Sequence, residues 1–299
     1  MKYKITHSTR YQYSQAVPVC HNLVHLCPRA MPNQSRNSFA LLIHPDPSRI
    51  TTRQDYFGNE VSLFSIDHPH LGLTVTSLSE MTVEEPKHVD PTVTPPWEEV
   101  VASMRGPLTS ERLDAYQYAF ESIGVDRVPA LSEYVRPSFP AGRPILEGVL
   151  DLTTRIHKEF RYDARATTIH SRVKEVFENR RGVCQDFAHL EISCLRALGI
   201  PARYVSGYLR TIPPPGKPRL VGADASHAWL SVYCGDYGWI DVDPTNDLLV
   251  SSDHITVAWG RDYFDVCPIQ GTIVGGGQHT MTISVDVAPL SDQPVPAPA

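Results

Sequence analysis

The residue pattern predicts an α+β fold in which a β-rich unit precedes a core built from helices and an antiparallel sheet. Two observations lead to this. Tyr3, Ile5, His7, Thr9, Tyr11 and Tyr13 occupy every second position, the period at which side chains share one face of a strand. Ile145, Val149, Leu152, Ile156 and Phe160 instead recur at spacings of four, three, four and four, one face of a helix. Taken in order, Leu71, Leu73 and Val75 repeat the strand period after a turn-like Asp55-Tyr56-Phe57-Gly58-Asn59, so residues 1–82 form the β-rich domain. Pro86, Pro91, Pro95 and Pro96 then exclude a core element, and 83–140 reads as a proline-rich linker with a helical segment. The core follows over 141–262. Pro144 suits the first turn of its first helix. A second helix runs from Cys184 to Leu198, with Phe187, Leu190, Cys194, Leu195 and Leu198 as its apolar face and Gly199 and Pro201 as its stop. Strands are expected at Ala202–Leu209, His227–Tyr233 and Trp239–Val242, with a loop at Ile212-Pro213-Pro214-Pro215-Gly216 between the first two. Residues 263–299 add a strand through Met281, Ile283, Val285 and Val287 and a frayed tail from Gln293.

Composition narrows the function classes. The 299 residues carry a net charge of −6 and no long run of Lys and Arg, which argues against a general nucleic-acid or anionic-membrane binder. No apolar stretch reaches transmembrane length, and the opening MKYKITHSTRYQYSQ lacks the apolar core of a signal peptide. Six cysteines form no CxxC pair and read as reduced thiols, so a cytoplasmic location is expected.

Three segments carry reactive side chains. In Arg181-Gly182-Val183-Cys184-Gln185-Asp186-Phe187 a glycine loop hands a cysteine to a helix start. There the free N–H groups and the positive end of the helix dipole favour the nucleophilic thiolate. Ser226-His227-Ala228-Trp229 opens a strand 43 residues after the cysteine, and Gly238-Trp239-Ile240-Asp241-Val242-Asp243-Pro244-Thr245 ends the next one. If those strands pair through Gly235-Asp236-Tyr237-Gly238, imidazole and carboxylate lie side by side. The carboxylate then fixes the ring tautomer and leaves the other nitrogen for the thiol.

The order Cys, His, Asp in GVCQDFAHL, SHAWL and GWIDVDPTN resembles the transglutaminase-like superfamily of papain-type cysteine enzymes over about residues 140–260. THSTRYQY, HLCPR and DYFGNEV are similar to the β-rich N-terminal domain of its bacterial members, and GRDYFDVCPIQG fits the same group. The resemblance implies a papain-like core with Cys184 as nucleophile, His227 as general base and acid, and Asp243 as orienter. It favours Asp243 over Asp241 because Asp243 directly precedes Pro-Thr. Alternation alone leaves the two tied on one face, although Asp243 sits at the strand end, where side chains reach a cleft. The implied activity is acyl transfer at a peptide or protein amide, as a peptidase or amidase, with a protein cross-linking transglutaminase as the alternative. No metal or organic cofactor is required. A catalytically silent binding module that keeps the fold is the competing reading from another class.

Other residues have plainer explanations. Cys194 is a core residue, and Cys20, Cys27, Cys234 and Cys267 are structural or incidental. His189 lies on another helical face from Cys184 and is expected to pack or to hydrogen-bond. Zinc on Cys184, His227 and Asp243 is disfavoured because the set lacks a close ligand pair. Cys20, His21, His25 and Cys27 lie between Pro18 and Pro28 and read as a strand or edge loop. Gly275-Gly276-Gly277 is a turn before the last strand, with no following Lys or helix to make a phosphate cradle. Trp229 and Trp239 read as core aromatics. Tyr162 falls where the resemblance places a tyrosine near the thiol, either donating to the oxyanion or packing. Gln185 is a further oxyanion candidate, and the Cys184 backbone N–H is the firmer donor.

Overall fold

In the computed structural model, which describes residues 1–106, 109–211 and 226–290, the chain opens as six antiparallel strands. These are β1 (Lys2–Val17), β2 (Val19–Val24), β3 (Gln34–His44), β4 (Arg49–Gln54), β5 (Glu60–Ile66) and β6 (His70–Val83). The alternating residues of β1 face inward: Tyr3, Ile5, His7, Thr9 and Tyr13 are buried. Leu73 and Val75 are buried with them, whereas Leu71, at the start of β6, is exposed. Leu71 lies at the register shift between the Gln12–Gly72 and Val17–His70 pairs, so it stands outside the alternation that Leu73 and Val75 follow.

The proline-rich stretch leads into α1 (Trp97–Ser103), α2 (Ser110–Tyr116), α3 (Pro129–Val135) and α4 (Ile145–Glu159). Ile145, Val149, Leu152 and Ile156 are fully buried, and Pro144 is the N-cap of α4, one position before its first turn. Next come β7 (Arg161–Tyr162), α5 (Val173–Asn179), β8 (Arg181–Gly182) and α6 (Cys184–Ala197). Gly199 ends α6 with φ +81°, a left-handed conformation that glycine adopts without strain. Of the apolar face read from the sequence, Phe187, Leu190, Cys194 and Leu195 are buried and Leu198, the C-cap, is half-buried, but the whole of α6 from Asp186 to Arg196 is buried too. Its polar residues are accommodated individually. Arg196, for example, donates to the carbonyls of Phe120, Ala202 and Arg261. The helix is an axle inside the core, which a one-sided pattern does not describe.

Strands β9 (Ala202–Leu209), β10 (Ser226–Tyr233), β11 (Trp239–Asp243), β12 (Leu248–Leu249) and β13 (His254–Gly260) form an antiparallel sheet in the order β12-β11-β10-β9-β13, and α6 packs across β10 and β9. The chain then returns to its first unit. β14 (Ile269–Val274) pairs with β2 and β15 (His279–Pro289) with β1, completing two four-stranded sheets, with Gly275, Gly276 and Gly277 turning between them at positive φ. The proline loop from Ile212 and the tail from Gln293 lie outside the described residues.

The β-rich unit grips the outer edge of the second sheet. Gln34 donates from its amide to the Thr256 carbonyl at 2.8 Å and accepts the Thr256 N–H at 2.9 Å, as a neighbouring strand would. Asn59 does the same for Trp259, at 2.9 and 3.0 Å. The Tyr3 hydroxyl reaches the Asp253 carboxylate at 3.0 Å. The open edge of β13 is thereby covered, and its buried peptide groups are satisfied. Gln34→Leu would strand the Thr256 N–H, while the Thr256 C=O keeps the Arg29 N–H, and is expected to cost about 1–3 kcal/mol of stability by denaturant unfolding. An unchanged midpoint would show that the two units are held together elsewhere.

Candidate active site

Cys184 is the first residue of α6, half-buried at the join between β8 and the helix. Local sequence explains that placement. The Asp186 carboxylate accepts the Val183 N–H at 2.8 Å and the Thr167 hydroxyl at 2.6 Å, closing the helix start. Gly182 is required there because a Cβ at that position would lie 2.7 Å from the Asp186 carboxylate. Arg181 and Gly182 pair in parallel with Arg161 and Tyr162, which brings Tyr162 beside the thiol strand. The Tyr162 pKa is raised by partial burial and by the nearby charge of Cys184.

His227 and Asp243 come from adjacent antiparallel strands in the register Leu230 opposite Val242. His227 Nε2 donates to Asp243 Oδ2 at 2.7 Å, and Cys184 lies near enough for its charge to act on the ring. With Nε2 committed to the carboxylate, Nδ1 is the nitrogen left for the sulfur. Burial opposes a charge on His227, but the hydrogen bond to Asp243 and the negative charge of Asp243 and Cys184 outweigh it and raise its pKa to about 10. The site thus favours the charged form of the ring. Asp241, on the same face, is taken by another partner: Trp229 Nε1 donates to its Oδ2 at 2.9 Å. That indole lies over Gly207, where a Cβ would sit 2.4 Å from the ring. The structure thus brings Cys184, His227 and Asp243 together and gives Asp241 a separate anchoring contact.

Asp243 has no exposed surface and is held by donors alone. Oδ1 accepts the N–H of Thr245 at 2.9 Å and of Asn246 at 3.3 Å, and Oδ2 accepts the Asn246 amide at 2.7 Å and His254 Nε2 at 3.3 Å. Burial alone would raise its pKa, but the hydrogen bonds from His227, His254 and Asn246 and the charge of His227 hold it well below the usual carboxylate range. The turn after it is pinned from α4, where the Thr154 hydroxyl donates to Asp247 at 2.6 Å and His157 Nδ1 donates to the Thr245 carbonyl at 3.0 Å. Asn246 lies in the same GWIDVDPTN segment that carried the family resemblance. His254 had no sequence signal, because its strand is placed next to β9 only by the sheet order.

Residues 3–82 match the bacterial transglutaminase-like N-terminal region, and residues 133–244 match the transglutaminase-like superfamily. The chain belongs to the transglutaminase-like superfamily. An uncharacterized Mycobacterium tuberculosis protein is 41% identical over 97% of this chain and 93% of its own. A protein-glutamine gamma-glutamyltransferase of Pseudomonas aeruginosa is 32% identical over 41% of this chain and 18% of its own. In fold, the chain is similar to a "putative cysteine protease" from Cytophaga hutchinsonii, with a TM-score of 0.77, 22% identity, and coverage of 99% of this chain and 93% of that one.

Two further groups in this transglutaminase-like core bear on its chemistry. His227, Asp243 and His254 place three possible metal-ligand atoms within 4.8 Å of one another. Both histidine Nε2 atoms and the Asn246 amide nitrogen lie within hydrogen-bond distance of Asp243 Oδ2. The cluster is a hydrogen-bond network about one anion. The cysteines expected to be structural fit that reading, with Cys20, Cys27, Cys194 and Cys234 buried, and His189 accepts the Tyr263 N–H at 3.0 Å as a packed residue would.

Glu191 lies seven residues along α6 from Cys184 and is fully buried. The Thr153 hydroxyl donates to its Oε1 at 2.8 Å, while Oε2 has no hydrogen-bond partner among the described residues. Burial, with the charges of Asp243 and Asp247 adding to it, raises its pKa from the ordinary 4.5 to about 8 against the effect of Thr153. Because the folded pKa is the higher one, its stabilising contribution is complete below pH 4.5 and is lost as pH rises through about 8. Glu191→Gln removes that loss. Its melting temperature relative to wild type is expected to rise, on the order of 5 °C, between about pH 5 and pH 8. A difference that stays constant across that range would contradict a buried neutral carboxyl.

Proposed function

We propose that the protein is a cysteine-dependent acyl transferase acting on amide bonds through a thioester, most directly as a peptidase or amidase. The observation that supports this reading best is His227, hydrogen-bonded to the buried carboxylate of Asp243 with the Cys184 side chain beside it. In this mechanism the Cys184 thiolate attacks the carbonyl carbon. The oxyanion that forms is met by the Cys184 N–H at the start of α6, with the half-exposed Tyr162 hydroxyl as second donor. His227 passes its proton to the departing amine, the C–N bond breaks and a thioester remains. His227 then takes a proton from water, which attacks the thioester and releases the acid and the thiolate. Asp243 stabilises the imidazolium at each stage without itself taking the proton.

The Pseudomonas relative, a protein-glutamine gamma-glutamyltransferase, favours a second reading in which an amine takes the place of water. The two differ only in the second nucleophile. We place the protein in the cytoplasm, a setting in which its six free thiols would remain reduced. No helix among the described residues is long and apolar enough to cross a membrane.

Incubating peptide mixtures with wild type and with Cys184→Ala, followed by mass spectrometry, distinguishes these readings. New termini that appear only with wild type indicate hydrolysis, whereas joined peptides with loss of ammonia indicate transamidation. Identical mixtures from both proteins would leave a silent binding module. The roles of the two aspartates separate in the same assay. Asp243→Asn removes the charge beside His227 and is expected to lower kcat/KM by roughly 10²–10⁴-fold. Asp241→Asn keeps an oxygen to accept Trp229 Nε1 and is expected to stay within about fivefold of wild type. The reverse ranking, with both variants folded by circular dichroism, would make Asp241 the orienter.

A further inference from the structure

We infer that His254 is a positioning residue for this site, a second histidine that holds the orienting carboxylate from the side opposite His227. The inference rests on the acyl-transfer reading above. His254 opens β13, and its side chain is 1% exposed. Its Nδ1 faces the Ser251 N–H at 3.4 Å and can only accept there, which puts the ring proton on Nε2. Nε2–H then donates to Asp243 Oδ2 at 3.3 Å. The ring is held in that orientation by the Trp229 indole, edge-on with centroids 5.2 Å apart and 81° between planes, and the His227 ring lies 6.1 Å away.

The geometry is unusual for the sheet. β13 and β11 are separated by β10 and β9, so His254 reaches Asp243 across the end of two strands. The groups around it are few and identifiable. Asp243 faces it from β11, His227 and Trp229 from β10, and Asn246 from the turn, while Glu191 approaches Asp243 from α6. Behind His254, Asp253 is paired with Arg210 at 2.9 Å and with the Tyr3 hydroxyl, which leaves Asp243 as the anion His254 addresses.

Its chemical effect follows from the number of donors on one oxygen. Oδ2 accepts from His227, Asn246 and His254. Each donor makes the carboxylate a weaker base and a less mobile one, so the shared proton stays on His227 and the ring keeps one orientation toward Cys184. A water in place of His254 could donate too, but nothing would fix its direction. His254 therefore acts through Asp243 and does not touch the reacting atoms.

The test compares His254→Leu, which removes the donor, with His254→Gln, whose amide nitrogen can replace Nε2. The first readout is alkylation of Cys184 by iodoacetamide at about pH 6.5, where free cysteine is almost wholly protonated, scored on the Cys184 peptide by mass spectrometry. The second is kcat and KM on whichever amide substrate the peptide screen gives. His254→Leu is expected to slow both alkylation and kcat by roughly 10–100-fold, the scale on which outer hydrogen-bond partners of an active group are felt, with KM within about twofold. His254→Gln should remain within about threefold of wild type on both. Should leucine impair folding, His254→Asn supplies the same contrast, because its shorter amide cannot reach Asp243. Equal losses in the glutamine variant and the donor-lacking variant, or none in either, would overturn the role. If wild-type Cys184 reacts no faster than free cysteine, the acyl-transfer reading itself fails and the inference falls with it. Fast wild-type alkylation that His254→Leu leaves unaltered rejects only His254.

Discussion

The 2.7 Å hydrogen bond between His227 and Asp243 sets the terms for the surrounding structure, because it places an anion where no water reaches it. An unpaired carboxylate at that depth would cost several kcal/mol, and a single partner does not occupy both of its oxygens. The fold answers with donors from several directions. The Thr245 and Asn246 turn supplies backbone N–H groups, Asn246 a side-chain amide, and β13 an imidazole. Helix α4 then braces the turn through Thr154 and His157. Glu191, close by in α6, has no such set of donors, and burial, with the charges of Asp243 and Asp247 adding to it, raises its pKa to about 8.

The β-rich unit makes sense in this light. Through Tyr3, Gln34 and Asn59 it contacts the strand that carries His254 and the residues just before it. That the chain comes back after the core to add β14 and β15 to the first unit ties β13 from both ends. A strand at the open edge of a sheet would otherwise be free to fray, and a donor mounted on it would lose its aim. The two units are one mechanical object around the carboxylate.

Much of this was legible in the residues. Alternation in β1 and the helical period of α4 identify their elements because each element buries one face. Cys184, His227 and Asp243 stand out because reactive side chains at a helix start and at strand ends are poorly explained by packing. The tie between Asp241 and Asp243 could not be broken by alternation, since both face the same side. Trp229 breaks it by occupying Asp241, through a register that only the folded pair of strands reveals. His254 and Glu191 were silent for a related reason. One depends on β13 settling beside β9 and the other on α6 being buried all round, and neither follows from local spacing. Leu71 shows the opposite failure, an apolar residue in the right period that the sheet leaves in solvent.

Acyl transfer through a thioester requires Cys184 to become acylated. Thioester formation is read by intact-protein mass spectrometry of the protein mixed with an activated peptide ester and rapidly acid-quenched, with the adduct mapped to a peptide and treated with neutral hydroxylamine. The expected result is a mass gain equal to one acyl group, on the Cys184 peptide alone, cleared by hydroxylamine as a thioester is and absent from Cys184→Ala. An adduct on another residue, one that persists in Cys184→Ala, or no adduct while the ester is consumed would contradict acyl transfer through Cys184.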